Sequence, residues 1–153
     1  MGRGGEARRR ARAQCPLSAI AWQPLTIYGD GGNVRDWLHV EDHVKALYKI
    51  ITHGTVGETY NIGGNCEKKN IEVANLICDL ISQYMESMGE FFDYKCLIKF
   101  VDDRPGHDFR YALDNKKILR EIKWKAKIKL DDGIIAVSYT HLRAHETSLH
   151  LVC

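Results

Sequence analysis

Short stretches of the chain alternate apolar and polar side chains, or are rich in β-branched and aromatic residues, as β-strands are. Such stretches lie at 24–28, 36–40, 58–62 and 97–101. The first ends in the glycine-rich turn 29–33, the third stops at Gly63, and the last leads into the polar stretch 102–108. The pattern predicts short strands that end in polar loops, which is where α/β folds usually bind their ligands.

Apolar residues three or four positions apart predict a helix after the second of these strands. Its apolar face carries Val40, Val44, Leu47 and Ile51. Glu41 and Asp42 lie in its first turn, where carboxylates suit the positive end of the helix dipole. The helix is expected to continue to about Thr52, because Gly54 and Gly57 then break the pattern.

Two further helices are predicted toward the end of this region. Asn70 is a plausible N-cap for the first of them. Its buried face is expected to consist of Val73, Leu76, Ile77, Leu80, Ile81 and Tyr84. Asp114 can cap the second and shorter helix, whose apolar residues end near Trp124. Strands and helices in this order predict a mixed α/β fold.

The two ends of the chain lack these patterns. Residues 1–23 form an arginine-rich leader of low complexity, which is either a disordered or artefactual stretch or a basic arm for nucleic acid or membrane. Residues 138–153 contain His141 and His145 but not the glutamate that an HExxH zinc motif requires. They resemble translated adapter sequence. The predicted division is therefore a leader at 1–23, a folded region at 24–137 and a non-native tail at 138–153.

The net charge of the whole chain does not describe its folded region. The chain carries a formal charge of +2, yet five arginines stand against one glutamate within residues 1–14 and the tail is neutral. The region between them therefore carries −2, so nucleic acid is not the predicted partner. No apolar run approaches the roughly 20 residues that span a bilayer, and no apolar stretch typical of a signal peptide follows Met1. We expect a cytoplasmic protein without a membrane partner.

The cysteines give no support to a metal or disulfide site. All five are scattered along the chain and none is spaced as CxxC. We expect reduced thiols, and Cys78 lies within a helical apolar pattern that predicts a packing role.

Two arginines beside glycine-bearing turns are candidates for binding an anion. Arg35 follows the turn 29–33, and Arg104 precedes the rigid turn Pro105–Gly106. A planar guanidinium suits two phosphate oxygens at once, so the pair could hold a diphosphate while Tyr28 borders a base. The alternative is structural, since acidic residues lie near each arginine in the sequence and could pair with it.

The sequence lacks the motifs of a complete dinucleotide-dependent enzyme. No tyrosine is followed four positions later by lysine, and neither GxGxxG nor GxxGxxG occurs. The glycines at 29–32 are not followed by the helix that a phosphate-binding loop requires.

Three segments of the chain carry a resemblance to a known family. They read TIYGDGGNVRDWLHVEDHVKAL, YNIGGNCEKKN and DDRPGHDFRYALD. Together they resemble the dTDP-glucose 4,6-dehydratases of the extended short-chain dehydrogenase/reductase family, over about residues 24–137. The resemblance implies an α/β fold that forms the C-terminal part of an NAD(P)-binding Rossmann-like fold, with the N-terminal Rossmann half largely missing.

The role that this resemblance implies is substrate binding. The family's nucleotide-sugar contacts fall on Thr26, Ile27, Tyr28, Arg35, Asn70, Asp103, Arg104, Pro105, Gly106 and His107. Among them, Arg35 and Arg104 would contact the diphosphate. The family's reaction passes a hydride from the sugar to NAD, removes water and returns the hydride, with catalytic residues that lie upstream of the matched region. This chain would then be a substrate-binding fragment of a lyase, without catalytic, cofactor-binding or metal-binding residues and inactive alone.

The resemblance also implies the partners of the enzyme. These are a dTDP-sugar as substrate, NAD in the full-length enzyme but none on this chain, and a second copy in a homodimer. Two other functions stay open, namely a non-catalytic nucleotide-sugar-binding module and another nucleotide-sugar dehydratase or epimerase of the same family. A third is a nucleic-acid-binding protein led by residues 3–12.

Overall fold

The computed structural model describes residues 23–150. The predictions for residues 1–22 of the leader and 151–153 of the tail lie outside the described residues. The helices are α1 (Val40–His53), α2 (Asn70–Ser87), α3 (Lys116–Ile122) and α4 (Leu130–His150). The strands are β1 (Leu25–Tyr28), β2 (Val34–Asp36), β3 (Glu67–Lys69), β4 (Ile98–Val101) and β5 (Arg110–Tyr111). A 3-10 helix at Tyr94–Leu97 leads into β4.

The described residues form two compact units that alternate along the chain. Unit 1 comprises 23–31, 71–104 and 134–150, and unit 2 comprises 32–70 and 105–133. In unit 1, β1 and β4 pair in parallel. In unit 2, β2 lies between β3, to which it is antiparallel, and β5, to which it is parallel. The mixed α/β class predicted from the sequence is confirmed.

Helix α2 supplies most of the core of unit 1. Its buried residues are Val73, Ala74, Ile77, Cys78 and Ile81. Cys78 is fully buried, so the packing role predicted for it is confirmed. Tyr94 is buried as well, and its ring meets that of Phe92 edge to face with 5.0 Å between the ring centroids. The spacing of apolar residues along one helix thus determines which side of α2 faces inward.

Unit 2 is built around a second apolar cluster. Its buried members are Ala46, Ile118, Ile122 and Trp124, and Leu38, Ile50, Tyr60, Ile62 and Ala126 pack against them. The N-cap of helix α3 is Asn115 and not the predicted Asp114, although Asp114 Oδ1 accepts a hydrogen bond from the backbone N–H of Lys116 at 2.9 Å. The short amphipathic helix predicted before Trp124 is confirmed.

The carboxylate of Asp42 ties α1 to the segment that precedes α4. Its Oδ2 accepts hydrogen bonds from the backbone N–H groups of Lys127 and Ile128, both at 2.7 Å. Burial opposes ionisation of this group, but the two N–H donors outweigh it and hold the pKa of Asp42 below its usual value. Asp42 is buried. It therefore stabilises the fold mainly through these two hydrogen bonds, and less through the helix dipole to which its position in the sequence pointed.

Most of the predicted elements are present, but the strand predicted at 58–62 is wrong. Those residues are irregular in the structure, because no strand within residues 23–150 pairs with them. The extended piece predicted at 36–40 is displaced, since β2 ends at Asp36 and α1 begins at Val40. Strands β3 and β5 were not predicted, because two or three residues are too few to show an alternating pattern.

Helix α4 crosses the boundary predicted at residue 138 without interruption. The ring of Tyr139 meets that of Tyr84 edge to face, with 5.5 Å between the centroids. Ser138 is buried, yet its hydroxyl finds no hydrogen-bond partner among the described residues. A foreign tail from residue 138 onward stays a prediction.

Replacement of Asp42 by alanine should leave the N–H groups of Lys127 and Ile128 without an acceptor. We expect the free energy of unfolding in urea to fall by about 2–4 kcal/mol. Glu41→Ala is the matched control, because Glu41 is exposed and forms a surface ion pair with Lys45, and it should cost less than about 1 kcal/mol. Equal losses in the two variants would contradict the anchoring role.

The same carboxylate should make unfolding sensitive to acid. The pKa of Asp42 in the folded chain lies below the ordinary value of 3.8, so its stabilisation is complete above that pH. It is lost as the pH falls through the folded pKa, where the carboxylate takes up a proton. The difference in stability between the parent chain and Asp42→Ala should therefore shrink in acid, as urea titrations from pH 7 down to about pH 3 would show.

Ser138→Ala should stabilise the chain, because it removes a buried hydroxyl that forms no hydrogen bond. A gain of about 1 kcal/mol in the free energy of unfolding is expected. Ser82→Ala is the control of opposite sign, since Ser82 Oγ donates to the carbonyl of Phe92 at 3.2 Å and its loss should destabilise. A loss of stability in both variants would mean that Ser138 has a partner.

Candidate functional site

In unit 1, the parallel pairing of β1 with β4 brings two of the predicted site segments together. Tyr28 lies opposite Val101 at the carboxyl ends of the two strands. The chain beyond them continues side by side, since Gly29 donates its N–H to the carbonyl of Val101 at 2.8 Å. Because parallel strands end at the same edge of a sheet, the turn after β1 and the loop after β4 meet there.

Arg104 lies over the exposed ring of Tyr28 at this edge. The guanidinium carbon is 5.9 Å from the ring centroid, within the range of a cation–π contact. The backbone N–H of Arg104 is fixed by Asp103 Oδ1 at 2.8 Å. Within the described residues, the guanidinium of Arg104 forms no ion pair, although acidic residues are its neighbours in sequence. The described residues therefore do not show the alternative for Arg104, which was an ion pair with an acidic residue nearby in the sequence.

Two further members of the predicted set belong to β1. Thr26 is exposed, while Ile27 is half-buried and packs beside the turn that follows the strand. A Cβ at Gly31 would lie 2.8 Å from side-chain atoms of both Ile27 and Ile71, and Gly31 has φ +73°. A glycine is thus required at this position, because the turn packs closely against side chains of its own unit.

In unit 2, Arg35 lies on the central strand β2, and its partners within residues 23–150 are backbone carbonyls. Its Nη1 donates to the carbonyl of Val34 at 2.6 Å and its Nη2 to that of Asp108 at 2.9 Å. The carbonyl of Asp108 also accepts from the side-chain amide of Asn33 at 3.3 Å. Carbonyl contacts orient the guanidinium without neutralising it, so Arg35 keeps its positive charge.

The acidic neighbours of Arg35 are used elsewhere in unit 2. Asp36 Oδ2 accepts from the N–H of Gly64 at 2.9 Å, and its Oδ1 accepts from that of Cys66 at 2.8 Å. Asp42 binds the backbone at 127–128, as described above. Neither acid forms the ion pair with Arg35 that the structural alternative required. Sequence reasoning missed this role of Asp36, because nothing in the spacing links it to a segment nearly 30 residues away.

The remaining predicted site residues also belong to unit 2. Asn70 is the first residue of α2, and its backbone N–H donates to the carbonyl of Asn33 at 3.0 Å. Its half-buried side-chain amide forms no hydrogen bond within the described residues, so the predicted capping bond is not formed. Pro105 and Gly106 form an exposed turn in which Gly106 has φ +71°, and His107 is half-buried beside it.

The described residues do not offer a binding loop for a dinucleotide. The glycine turn after β1 is followed by β2 and not by a helix, so its N–H groups lack the helix N-terminus that holds a phosphate in such loops. Within the described residues, no group of three or more His, Cys, Asp or Glu side chains is placed to hold a metal ion. No helix in this part of the chain is long and apolar enough to cross a membrane.

The fold is that of the nucleotide-sugar dehydratases and epimerases of the extended short-chain dehydrogenase/reductase class. A solved dTDP-glucose 4,6-dehydratase from Bacillus anthracis, in complex with NAD, matches 86% of this chain with a TM-score of 0.72 and 39% identity. Another, from Streptomyces venezuelae with NAD and TYD bound, matches 86% with a TM-score of 0.73 and 30% identity. The chain covers 39% and 38% of these two structures, respectively.

The sequence model of the family described as GDP-mannose 4,6 dehydratase matches residues 11–137, and the chain belongs to that family. Among curated relatives, the dTDP-glucose 4,6-dehydratase of Haemophilus influenzae is 51% identical over 118 residues, which are 76% of this chain and 35% of the relative. The resemblance inferred from the three segments is thereby confirmed. The chain spans about a third of the length of the curated relatives that it matches.

Gly64→Ala should disrupt the loop that Asp36 holds. A Cβ at Gly64 would lie 1.9 Å from the carbonyl oxygen of Trp37, so the backbone would have to move. We expect a loss on the order of 3 kcal/mol in the free energy of unfolding. Gly57→Ala is the control, because its φ is +85° but nothing lies within 4 Å of the added Cβ, and it should cost only about 1 kcal/mol. Similar midpoints for both variants in thermal unfolding would refute the close approach.

Proposed function

We propose that residues 24–137 bind the nucleotide diphosphate of a dTDP-sugar as the substrate-binding part of a dTDP-glucose 4,6-dehydratase. The proposal rests on the observation that neither of two arginines forms an ion pair within the described residues. Arg35 and Arg104 each keep a guanidinium that no carboxylate in the described residues neutralises, although each has acidic neighbours in sequence. A positive charge that the fold orients but does not pair is suited to an anionic ligand.

Other residues of the predicted set suit the rest of a nucleotide. The ring of Tyr28 is 38% exposed, and an exposed aromatic ring of this kind is suited to border a base. The amide of Asn70 can donate and accept, and it forms no hydrogen bond within the part of the chain that the structure describes. The same assignment covers Thr26, Ile27 and Asp103 of unit 1, and Pro105, Gly106 and His107 of unit 2.

The curated relatives and the solved structures support the choice of ligand. They bear the name dTDP-glucose 4,6-dehydratase, and the Streptomyces structure contains NAD and TYD. In such an enzyme NAD takes up and returns a hydride, and the part played by this chain's residues is to bind and orient the sugar nucleotide. We assign no catalytic or NAD-binding residue to this chain. The proposal extends to a cytoplasmic homodimer for the complete enzyme, without nucleic-acid or membrane partners.

Calorimetric titration with dTDP tests the proposal on the chain itself. Arg35→Lys keeps the charge but loses the two-pronged geometry, and it should weaken dTDP binding by about tenfold to over a hundredfold, the equivalent of roughly 1.5–3 kcal/mol. Arg104→Lys should do the same. The matched control is Arg120→Lys, since Arg120 is exposed and paired with Glu121 at 2.8 Å, and this variant should bind as the parent does.

The outcomes separate the proposed function from its alternatives. Unfolding midpoints close to that of the parent show that the variants are folded, so a weaker titration then reports the site. If Arg35→Lys and Arg104→Lys both bind dTDP as tightly as the parent chain, the two arginines have a structural role and do not bind the diphosphate. Purified chain that carries absorbance from bound NAD, or that forms a 4-keto product from dTDP-glucose, would contradict the assignment of the chemistry to residues outside it. No detectable dTDP binding at millimolar concentration would refute the proposal for this chain.

A further inference from the structure

Asn33 is a buried polar residue that directly precedes strand β2, and only 5% of its surface is exposed. Burial of an amide costs free energy unless the amide is hydrogen-bonded, so a buried asparagine is usually there for the bonds that it forms. The family resemblance assigned no role to Asn33, although it lies between the glycine turn and Arg35 in the sequence. The contacts of Asn33 therefore indicate what its burial achieves.

The side chain of Asn33 binds the same oxygen as the guanidinium of Arg35. Asn33 Nδ2 donates to the carbonyl of Asp108 at 3.3 Å, and Arg35 Nη2 donates to that carbonyl at 2.9 Å. A carbonyl oxygen has two lone pairs and can accept both bonds. The buried amide thus helps to fix the acceptor that in turn fixes the direction of the guanidinium.

The backbone around Asn33 reaches two other segments of unit 2. The carbonyl of Asn33 accepts the N–H of Asn70 at 3.0 Å, at the first residue of α2. The N–H of Val34 donates to the carbonyl of Phe109 at 2.8 Å. The stretch at 33–34 therefore joins the start of α2 and the loop before β5 to strand β2. These are the three segments of the chain that carry the family resemblance.

A fixed orientation matters for Arg35 because, within the described residues, its guanidinium has no carboxylate partner. The carbonyls of Val34 and Asp108 give the guanidinium a direction but do not neutralise its charge. A long side chain that a ligand must first order loses conformational entropy, and this loss weakens binding. An arginine that the fold has already oriented loses less of it when a diphosphate binds.

We propose that Asn33 is a positioning residue for the diphosphate of the nucleotide sugar, since its side chain orients Arg35 and its backbone holds Asn70. This inference rests on the proposed function, because it takes Arg35 as a ligand of the diphosphate. Asn33 acts through these neighbours and leaves the charge of the site unchanged. Loss of its amide should therefore weaken diphosphate binding by way of Arg35, while the backbone contact with Asn70 remains.

Calorimetric titration of the full chain with dTDP tests the inference. Asn33→Ala should weaken dTDP binding by about tenfold, as expected for the loss of one hydrogen bond. The matched control is Asn115→Ala, since Asn115 is also a buried asparagine of unit 2, with bonds to the backbone of Gly63 at 2.7 and 2.8 Å. This control should lower the thermal midpoint at least as much as Asn33→Ala, yet bind dTDP within about twofold of the parent.

A double variant separates positioning from a general effect on the fold. When Arg35 is already replaced by lysine, Asn33→Ala should weaken dTDP binding by less than about twofold, because the group that Asn33 orients is gone. Asn33→Ser takes the place of Asn33→Ala throughout if thermal unfolding shows the alanine variant to be unfolded at the titration temperature. The serine side chain ends one atom short of the amide nitrogen and removes the same hydrogen bond.

The outcomes distinguish this inference from the proposed function. A further loss of about tenfold on top of Arg35→Lys would overturn the positioning role, because the effects of Asn33 and Arg35 would then be independent. Equal losses of affinity in Asn33→Ala and Asn115→Ala would overturn it as well, and in both cases the parent chain would still bind dTDP. Absence of dTDP binding by the parent chain would overturn the proposed function, and the inference with it.

Discussion

Two carboxylates in one short stretch of sequence organise unit 2, because each accepts a pair of backbone N–H groups from a distant segment. Asp36 holds the loop at 64–66, and Asp42 holds the backbone at 127–128. Hydrogen bonds to an ionised carboxylate are stronger than those between neutral groups. The strand β2 and the helix α1 are thereby fixed to parts of the chain that neither could reach through local structure.

This use of the acids determines which partners are left for Arg35, which precedes both of them in the sequence. An ion pair of Arg35 with Asp36 or Asp42, as the sequence allowed, would have been worth little more than a surface salt bridge. Since both acids bind backbone, Arg35 is left with carbonyl partners that orient it and leave its charge intact. In unit 1 the parallel pairing of β1 with β4 has a similar effect, since it places Arg104 over a tyrosine ring.

The local spacing of apolar residues was sufficient to predict the elements that do not depend on pairing with a distant segment. The spacing along α2 predicted six residues as its buried face. Of these, Val73, Ile77 and Ile81 are buried, and Leu76, Leu80 and Tyr84 are half-buried. The strand expected at 58–62 does not form, because strand formation needs a neighbour that composition alone cannot supply. Strands β3 and β5 arise from pairing with β2 and have no pattern of their own.

The candidate site was predictable in its residues but not in its geometry. The three segments identified Arg35 and Arg104 through their resemblance to a family, and the family is confirmed. The sequence could not decide whether either arginine would be paired, because that depends on where Asp36 and Asp42 find their donors. Those donors lie 28 to 86 residues further along the chain, beyond the reach of any local rule.

Helix α1 shows that a helix can be predicted correctly from its apolar spacing while the face that it buries is not the apolar one. A helix usually buries its large apolar side chains, but α1 packs in unit 2 through the small Ala46 and the hydrogen-bonded Asp42. Ala46 allows close approach of the backbone to the cluster around Trp124, and the two N–H donors remove the cost of burying a carboxylate. Unit 2 thus gains its order while Val40, Val44, Leu47 and Ile51 stay exposed. The apolar row that predicts the helix in the sequence is therefore not the face that α1 buries in unit 2.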